Sequence, residues 1–311
     1  MPRQGLRAAA LERVRELVAP GGRVSRVRPL RGGISSSVHL VQLTTDAGVR
    51  QAVVVRRYGE YWQRTDPAAC EREFRLLGVL AQSGFPAPRP LLLDAEGGPF
   101  GAPTVIMSRL PGRPSLSPRD RDGYLRQMAD TLARLHALPT EHMEFLPDQR
   151  RIVERTVAAE YEGDDPLQRE INQALRAPWP RVAHEPRVLV HGDYWPGNLL
   201  WLRGRLVGVV DWEQPRLGAP GKDIATCRGD LWVLFGPEAA DAFVSYYEEA
   251  AQRTVSDMSF WDVLISTWAV REMDAWVEAY QILGRPDLTP EVARGRIRAF
   301  ARAALEAQER A

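Results

Sequence analysis

Cysteine is scarce in this sequence, lysine almost absent, and net charge nearly nil. Its two cysteines, Cys70 and Cys227, stand far apart in 311 residues and in no CxxC or Cys/His spacing, so they build neither a zinc site nor a disulfide framework. Both read as buried small side chains. Forty-one basic against 40 acidic residues leave a formal charge of +1, and no global field draws the chain to nucleic acid or to an anionic membrane. No run approaches the ~18 apolar residues of a membrane-spanning helix. The opening MPRQGLRAAALERVREL lacks the continuous apolar core of a signal peptide. A soluble cytoplasmic protein with no nucleic-acid or membrane partner, monomer or homodimer, is the expectation. Lys222 is the sole lysine, so a task that usually falls to lysine must fall to it or to an arginine.

What remains is ordinary globular material, 44% hydrophobic and 26% charged, at about twice the ~150-residue domain prior. Residues 5–18 have apolar positions at helical spacing, closed by PGG at 20–22. VSRVRPL, SVHLVQLTT and QAVVVRRY are β-branched runs joined by hairpin-type connections, which predicts an antiparallel sheet. Residues 66–84 read as a helix with Asp66 as cap before Pro67 and glycine at the exit. PTVIMSRLPG then forms a short strand closing on a Pro-Gly break, so a first lobe is expected over 1–110 and a second over 111–311. In the second, 118–138 is an amphipathic helix and 148–186 is polar with helical segments. VLVHGDYWPGNLLW and RLVGVVDWEQPRLG predict two short strands joined by RGR. From Asp230 onward the chain is helical over roughly 238–252, 259–283 and 290–309.

The chemistry concentrates in those two strands. Asp193 follows an apolar strand, Asn198 comes five residues later, and Asp211 ends the next strand. Three oxygen-bearing side chains at the ends of adjacent strands suit phosphoryl transfer. That reaction asks for one carboxylate at the attacking hydroxyl and hard oxygen ligands for a magnesium that bridges phosphates. Asp193 is then the base or orienter, while Asn198 and Asp211 hold metal. His191 reads as a structural neighbour of the loop.

LVHGDYWPGNLLW followed by VVDWEQPRLGAPGKDIA resembles the aminoglycoside phosphotransferase and choline kinase-like family of small-molecule kinases. The match runs through His191, Gly192, Asp193, Asn198 and Asp211, then Gly218, Pro220 and Asp223. The resemblance implies an α+β, protein-kinase-like two-lobed fold: a small antiparallel-sheet N-terminal lobe that binds nucleotide and a larger, mainly helical C-terminal lobe that holds the catalytic loop and the acceptor. It implies ATP (or GTP) and Mg2+ as cofactors, Asp193 as catalytic base, and Asn198 and Asp211 as metal ligands. RGGISSS departs from GxGxxG, yet Gly33, Ser35 and Ser36 are placed to close over phosphates. On the third strand an arginine stands where such a lobe carries lysine. Arg56 is the inward candidate, with Glu73 as its helix partner and Glu71 as competitor. Met107 to Leu110 would offer backbone groups to an adenine.

For the acceptor, Trp261, Ile265, Trp268, Glu272 and Trp276 step by helical intervals along one face. Core packing explains such a stripe. Alternatively Trp268, Glu272 and Trp276 line a pocket for an amine-bearing or large apolar hydroxylic acceptor. The expected function is ATP-dependent transfer of the γ-phosphate to a hydroxyl of a small molecule, aminoglycoside-, macrolide-, choline- or amino-alcohol-like. The alternative is a catalytically inactive kinase-like fold that binds nucleotide or a partner. Protein-kinase activity ranks third, since the sequence has no HRD or DFG tripeptide.

Overall fold

The computed structural model describes residues 5–30 and 36–310. The chain divides into two compact units, Met1–Pro111 and Gly112–Ala311.

In the first unit, α1 (Ala8–Val18) precedes β1 (Arg23–Pro29), β2 (Ser36–Thr44) and β3 (Arg50–Tyr58). Then come α2 (Glu60–Thr65), α3 (Ala69–Ser83), β4 (Pro90–Asp94) and β5 (Thr104–Ser108). The strands form one antiparallel sheet in the order β1-β2-β3-β5-β4, so PTVIMS is an inner strand. Alternation along β3 sends Val53 and Val55 into a core with Ala10 and Val14 of α1, while Arg56 turns to the other face. Arg57, on the α1 face, is buried as well: its guanidinium donates to Ser37 Oγ (3.2 Å) and to the Phe100 carbonyl (3.4 Å).

The helix after Pro67 starts later than the sequence suggests. Asp66 closes α2, its N–H donating to the Trp62 carbonyl, and its carboxylate pairs with Arg72 instead of capping α3. Gly84 ends α3 in the left-handed conformation, φ 68°, as the exit glycine predicts.

The second unit opens with α4 (Arg121–His136), α5 (Arg150–Ala158), α6 (Pro166–Ala174) and α7 (Trp179–Val182). There follow β6 (Val188–Val190), a 3-10 turn (Pro196–Asn198), β7 (Leu199–Leu202), β8 (Arg205–Val209) and β9 (Arg216–Gly218). It ends in α8 (Gly221–Phe235), α9 (Pro237–Ala251), α10 (Met258–Ile282) and α11 (Pro290–Glu309). Where the sequence suggests two strands, there are two separate two-stranded ladders, β6 with β9 and β7 with β8. The β7-β8 turn is Arg203-Gly204, both with positive φ, the backbone of a tight hairpin whose twist matches its strands. Helix α8 begins at Gly221, nine residues before Asp230. The core lies among α6, α8, α10 and α11, with Trp261, Phe260, Phe300 and Tyr280 fully buried. Among the described residues no helix is long and apolar enough to cross a membrane.

Candidate active site

The loop after β6 carries Asp193, and its shape is fixed by backbone hydrogen bonds to one carboxylate. The Asp223 carboxylate accepts from the N–H of His191 (2.6 Å) and of Gly192 (2.8 Å). Gly192 has φ 87°, and a Cβ there would run into the Gln214 carbonyl oxygen, so only glycine fits. Asp223 is wholly buried. Burial alone would raise its carboxyl, but the hydrogen bond and charge of His136, with Lys222 and His191, more than offset that and hold it below the usual carboxylate range. His136 donates from Nε2 to Asp223 (3.4 Å) and accepts the Tyr247 hydroxyl at Nδ1 (2.8 Å), a tautomer set by the carboxylate's inability to donate.

His191 has the structural role its position suggested. Its Nδ1 accepts from the Asp193 N–H (3.2 Å) and its Nε2 donates to the Val210 carbonyl (3.0 Å). Burial lowers its pKa, and both nitrogens are satisfied by the neutral ring.

Asn198 Nδ2 donates to both the carbonyl (2.9 Å) and the Oδ2 (3.0 Å) of Asp193. That leaves the amide's Oδ1 for a cation. Burial, then the nearby Asp211 carboxylate, push the Asp193 carboxyl up to about 6, while Lys222 and Asn198 pull it back. Asp211 follows β8 with φ 72°, a conformation that Asp tolerates better than most residues and that recurs where a side chain is aimed for function. The arrangement thus holds one carboxylate near the protonation range of a general base, beside a second carboxylate and an amide oxygen that could ligate a hard cation. Among the described residues no group of three or more His, Cys, Asp or Glu side chains gathers as a metal cage. Magnesium does not need one, since it takes a few protein oxygens and fills the rest of its octahedron with phosphate and water.

Three side chains that sequence reasoning left out of the site belong to it. Lys222 Nζ donates to the Gly192 carbonyl (2.6 Å), with burial lowering its pKa and Asp223 and Asp193 raising it. Being the only lysine was its signal. Asp230 accepts from the Tyr280 hydroxyl (2.5 Å). Burial pushes its carboxyl up to about 7, Tyr280 opposes this, and Asp193 adds to it. The Tyr280 ring meets Trp195 edge to face, centroids 5.8 Å apart. Neither Asp230 nor Tyr280 was marked by any motif.

Of the proposed acceptor stripe, Trp261 and Ile265 are core, Trp268 and Trp276 are half-buried against that core, and Glu272 is exposed. In the first unit Arg56 and Glu73 meet at 3.6 Å, both buried, and Tyr58 donates to the other oxygen of Glu73 at 2.6 Å. Glu71 is exposed. Gly33 and Ser35 lie outside the described residues. Ser36 opens β2 with its Oγ buried and without a hydrogen-bond partner among the described residues. Met107 pairs within β5 on both sides, and Leu110 lies past the strand's end.

A sequence model of the APH phosphotransferase enzyme family matches residues 26–262. The chain belongs to the APH phosphotransferase family. Its curated relatives include mouse acyl-CoA dehydrogenase family member 10, 29% identical over half of this chain but only 16% of that protein. The chain therefore spans about a sixth of that relative's length. Homoserine kinase of Gluconacetobacter diazotrophicus is 27% identical over 68% of this chain and 70% of the enzyme. Among solved structures, choline kinase LicA from Streptococcus pneumoniae superposes with a TM-score of 0.61 at 19% identity, over 95% of this chain and 97% of that one. A thermostable mutant of aminoglycoside phosphotransferase APH(4)-Ia, in ternary complex with ADP and hygromycin B, gives 0.60 at 15%, over 91% and 94%. These likenesses establish the protein-kinase-like fold of the APH family for this chain.

Proposed function

We propose that the protein is an ATP-dependent phosphotransferase that moves the γ-phosphate to a hydroxyl of a small molecule. The observation that carries this reading is the Asp193 carboxylate, oriented by Asn198 Nδ2 on a loop clamped by Asp223, with its pKa raised to about 6. Such a group accepts the acceptor's proton at neutral pH without being fully quenched by solvation. Magnesium, when bound, would supply charge neutralisation for the phosphates. Asn198 Oδ1 and Asp211 would hold it.

The nucleotide falls to the first unit. Arg56, held by Glu73, takes the phosphate-gripping place of lysine. A forked guanidinium offers phosphate two parallel donors where lysine offers a point charge. Ser36 Oγ, without a partner among the described residues, fits a phosphate oxygen, Gly33 and Ser35 precede it closely in sequence, and the backbone from Met107 to Leu110 offers groups to adenine.

For the acceptor, Asp230, Tyr280 and Trp195 surround the base with a carboxylate and aromatic rings, and Trp268, Glu272 and Trp276 extend the same character along α10. That favours an amine-bearing alcohol. Homoserine and choline, named in two of the relatives, are both of that class.

The test is phosphorus NMR of the purified protein with magnesium, ATP and a panel of choline, homoserine, aminoglycosides and macrolides. A new phosphate-ester signal is expected, reduced in Asp193→Asn by about two to four orders of magnitude, the range of general-base catalysis. Transfer that survives this substitution within tenfold would contradict the assignment of the base. Nucleotide binding without transfer to any acceptor would favour the inactive-fold reading.

A further inference from the structure

The larger unit contains a cavity of about 380 Å3, lined by Gln149, Trp179, Ala183, Glu185, Gly218 and Trp261 among others. In the antiparallel β6-β9 pair Gly218 faces Val188 and Arg216 faces Val190. The catalytic loop leaves β6 beyond Val190, so the cavity opens at the opposite end of that strand from His191.

Among the described residues, two polar groups in its wall lack the partners their burial calls for. Gln149 is 2% exposed and anchored through its backbone N–H to the Leu217 carbonyl (2.9 Å), yet its buried Nε2 has no hydrogen-bond partner. An unpaired buried donor is costly unless a ligand or water completes it. The Glu185 carboxylate accepts only a long hydrogen bond from Trp261 Nε1 (3.4 Å). The cations around it are committed elsewhere: Arg187 to Asp148, Arg150 to Glu154, Arg181 to Asp257 and Arg253 to Tyr247. Burial accordingly pushes the Glu185 carboxyl up to about 7, with Asp257 adding and Trp261 and Arg253 opposing. Trp179 and Trp261 supply apolar wall, and the volume lies in the range of small-molecule sites.

We propose that this cavity binds a small organic cation with an apolar body and an adjacent oxygen acceptor, of the amino-alcohol or amino-amide class. The ammonium pairs with Glu185 and the oxygen accepts from Gln149 Nε2. The apolar body lies against Trp179 and Trp261, where the cation gains from the ring faces as well as from the carboxylate.

The test is calorimetric titration of the full chain, free of nucleotide, with 2-phenylglycinol and with its neutral counterpart 1-phenyl-1,2-ethanediol. A probe of about ten heavy atoms is expected to bind in the millimolar range. The amine should bind about tenfold or more tightly than the diol, and Glu185→Gln should remove that advantage. Ala183→Trp, which fills the cavity, should abolish binding while far-ultraviolet circular dichroism is unchanged. Glu291→Gln, an exposed carboxylate at the start of α11 and outside the cavity lining, should leave the titration as it is. Equal binding of amine and diol, no binding at about ten times the expected constant, or an advantage of the amine that survives Glu185→Gln would each overturn the proposal. None of these readouts involves phosphoryl transfer, so the function proposed for Asp193 stands or falls separately.

Discussion

Replacing Asp193 by asparagine should inactivate the protein and stabilise it. The Asp193 carboxyl is raised from 3.8 to about 6 by burial and by Asp211. A group whose folded-state pKa lies above its unfolded one is protonated without penalty at low pH and opposes folding once ionised. The penalty is absent below about pH 4, grows between about pH 4 and 6, and is constant above. At 1.36 kcal/mol per pH unit the interval amounts to at most ~3 kcal/mol. Because the side chain keeps some contact with solvent, ~1–2 kcal/mol is the working figure. In Asp193→Asn the penalty disappears while an amide oxygen remains to accept from Asn198 Nδ2. Thermal unfolding without magnesium should therefore place the variant about 3–5 °C above the wild type at pH 7.5. At pH 5 the gap should be about half as large, since little of the wild-type carboxyl is then ionised in the fold. A variant no more stable than wild type at pH 7.5, or a gap that widens on acidification, would refute the reasoning about this carboxylate.

Other perturbations follow from the same geometry. Gly192→Ala forces a Cβ onto the Gln214 carbonyl at a positive φ; a loss of about 1–3 kcal/mol in urea unfolding is expected, and turnover should fall with it. Arg56→Met takes the guanidinium away from the buried Glu73 carboxylate, which also accepts from the Tyr58 hydroxyl, and should cost about 3–5 kcal/mol, whereas Arg56→Lys should recover most of that stability in the same assay. Asp223→Asn removes the charge from the hydrogen bonds to His191 and Gly192; kcat should fall about tenfold or more with far less change in KM, because what is lost is the position of the base.

Where the sequence carried long or strongly patterned signals, the structure could be read from it. The β-branched runs at 36–44 and 50–58 pair as expected, and the helix spacing at 121–136 and 290–309 is plain. Short elements were not legible. The apolar run of β6 reads as a strand before Asp193, but three-residue β9 carries no period, and the pairing of the two brings together residues almost thirty positions apart. Helix α2 is six residues long, too short to carry a period, so in the sequence the Asp-Pro that follows it reads as the start of a helix. The loop of Asp193, Asn198 and Asp211 could be found because its members lie within nineteen residues of one another. The Asp230–Tyr280 hydrogen bond spans 50 positions between two helices, and only the packing of α8 on α10 brings it about. Lys222 lies between these cases: it stands out as the sole lysine, but nothing in the sequence ties it to the Gly192 carbonyl.

Binding of a magnesium–nucleotide complex through Asp211 and Asn198, for transfer at Asp193, is the premise of the proposed function. Its most direct test is thermal unfolding of the wild type and of Asp211→Ala with ATP alone, magnesium alone and both together. Nucleotide held by the native state must raise the midpoint, by ~2.7 kcal/mol of stability at a hundredfold excess over the dissociation constant. A rise that needs both magnesium and ATP and is lost in Asp211→Ala is the predicted result. An unchanged midpoint at millimolar magnesium–ATP in the wild type, or an undiminished rise in Asp211→Ala, would contradict it.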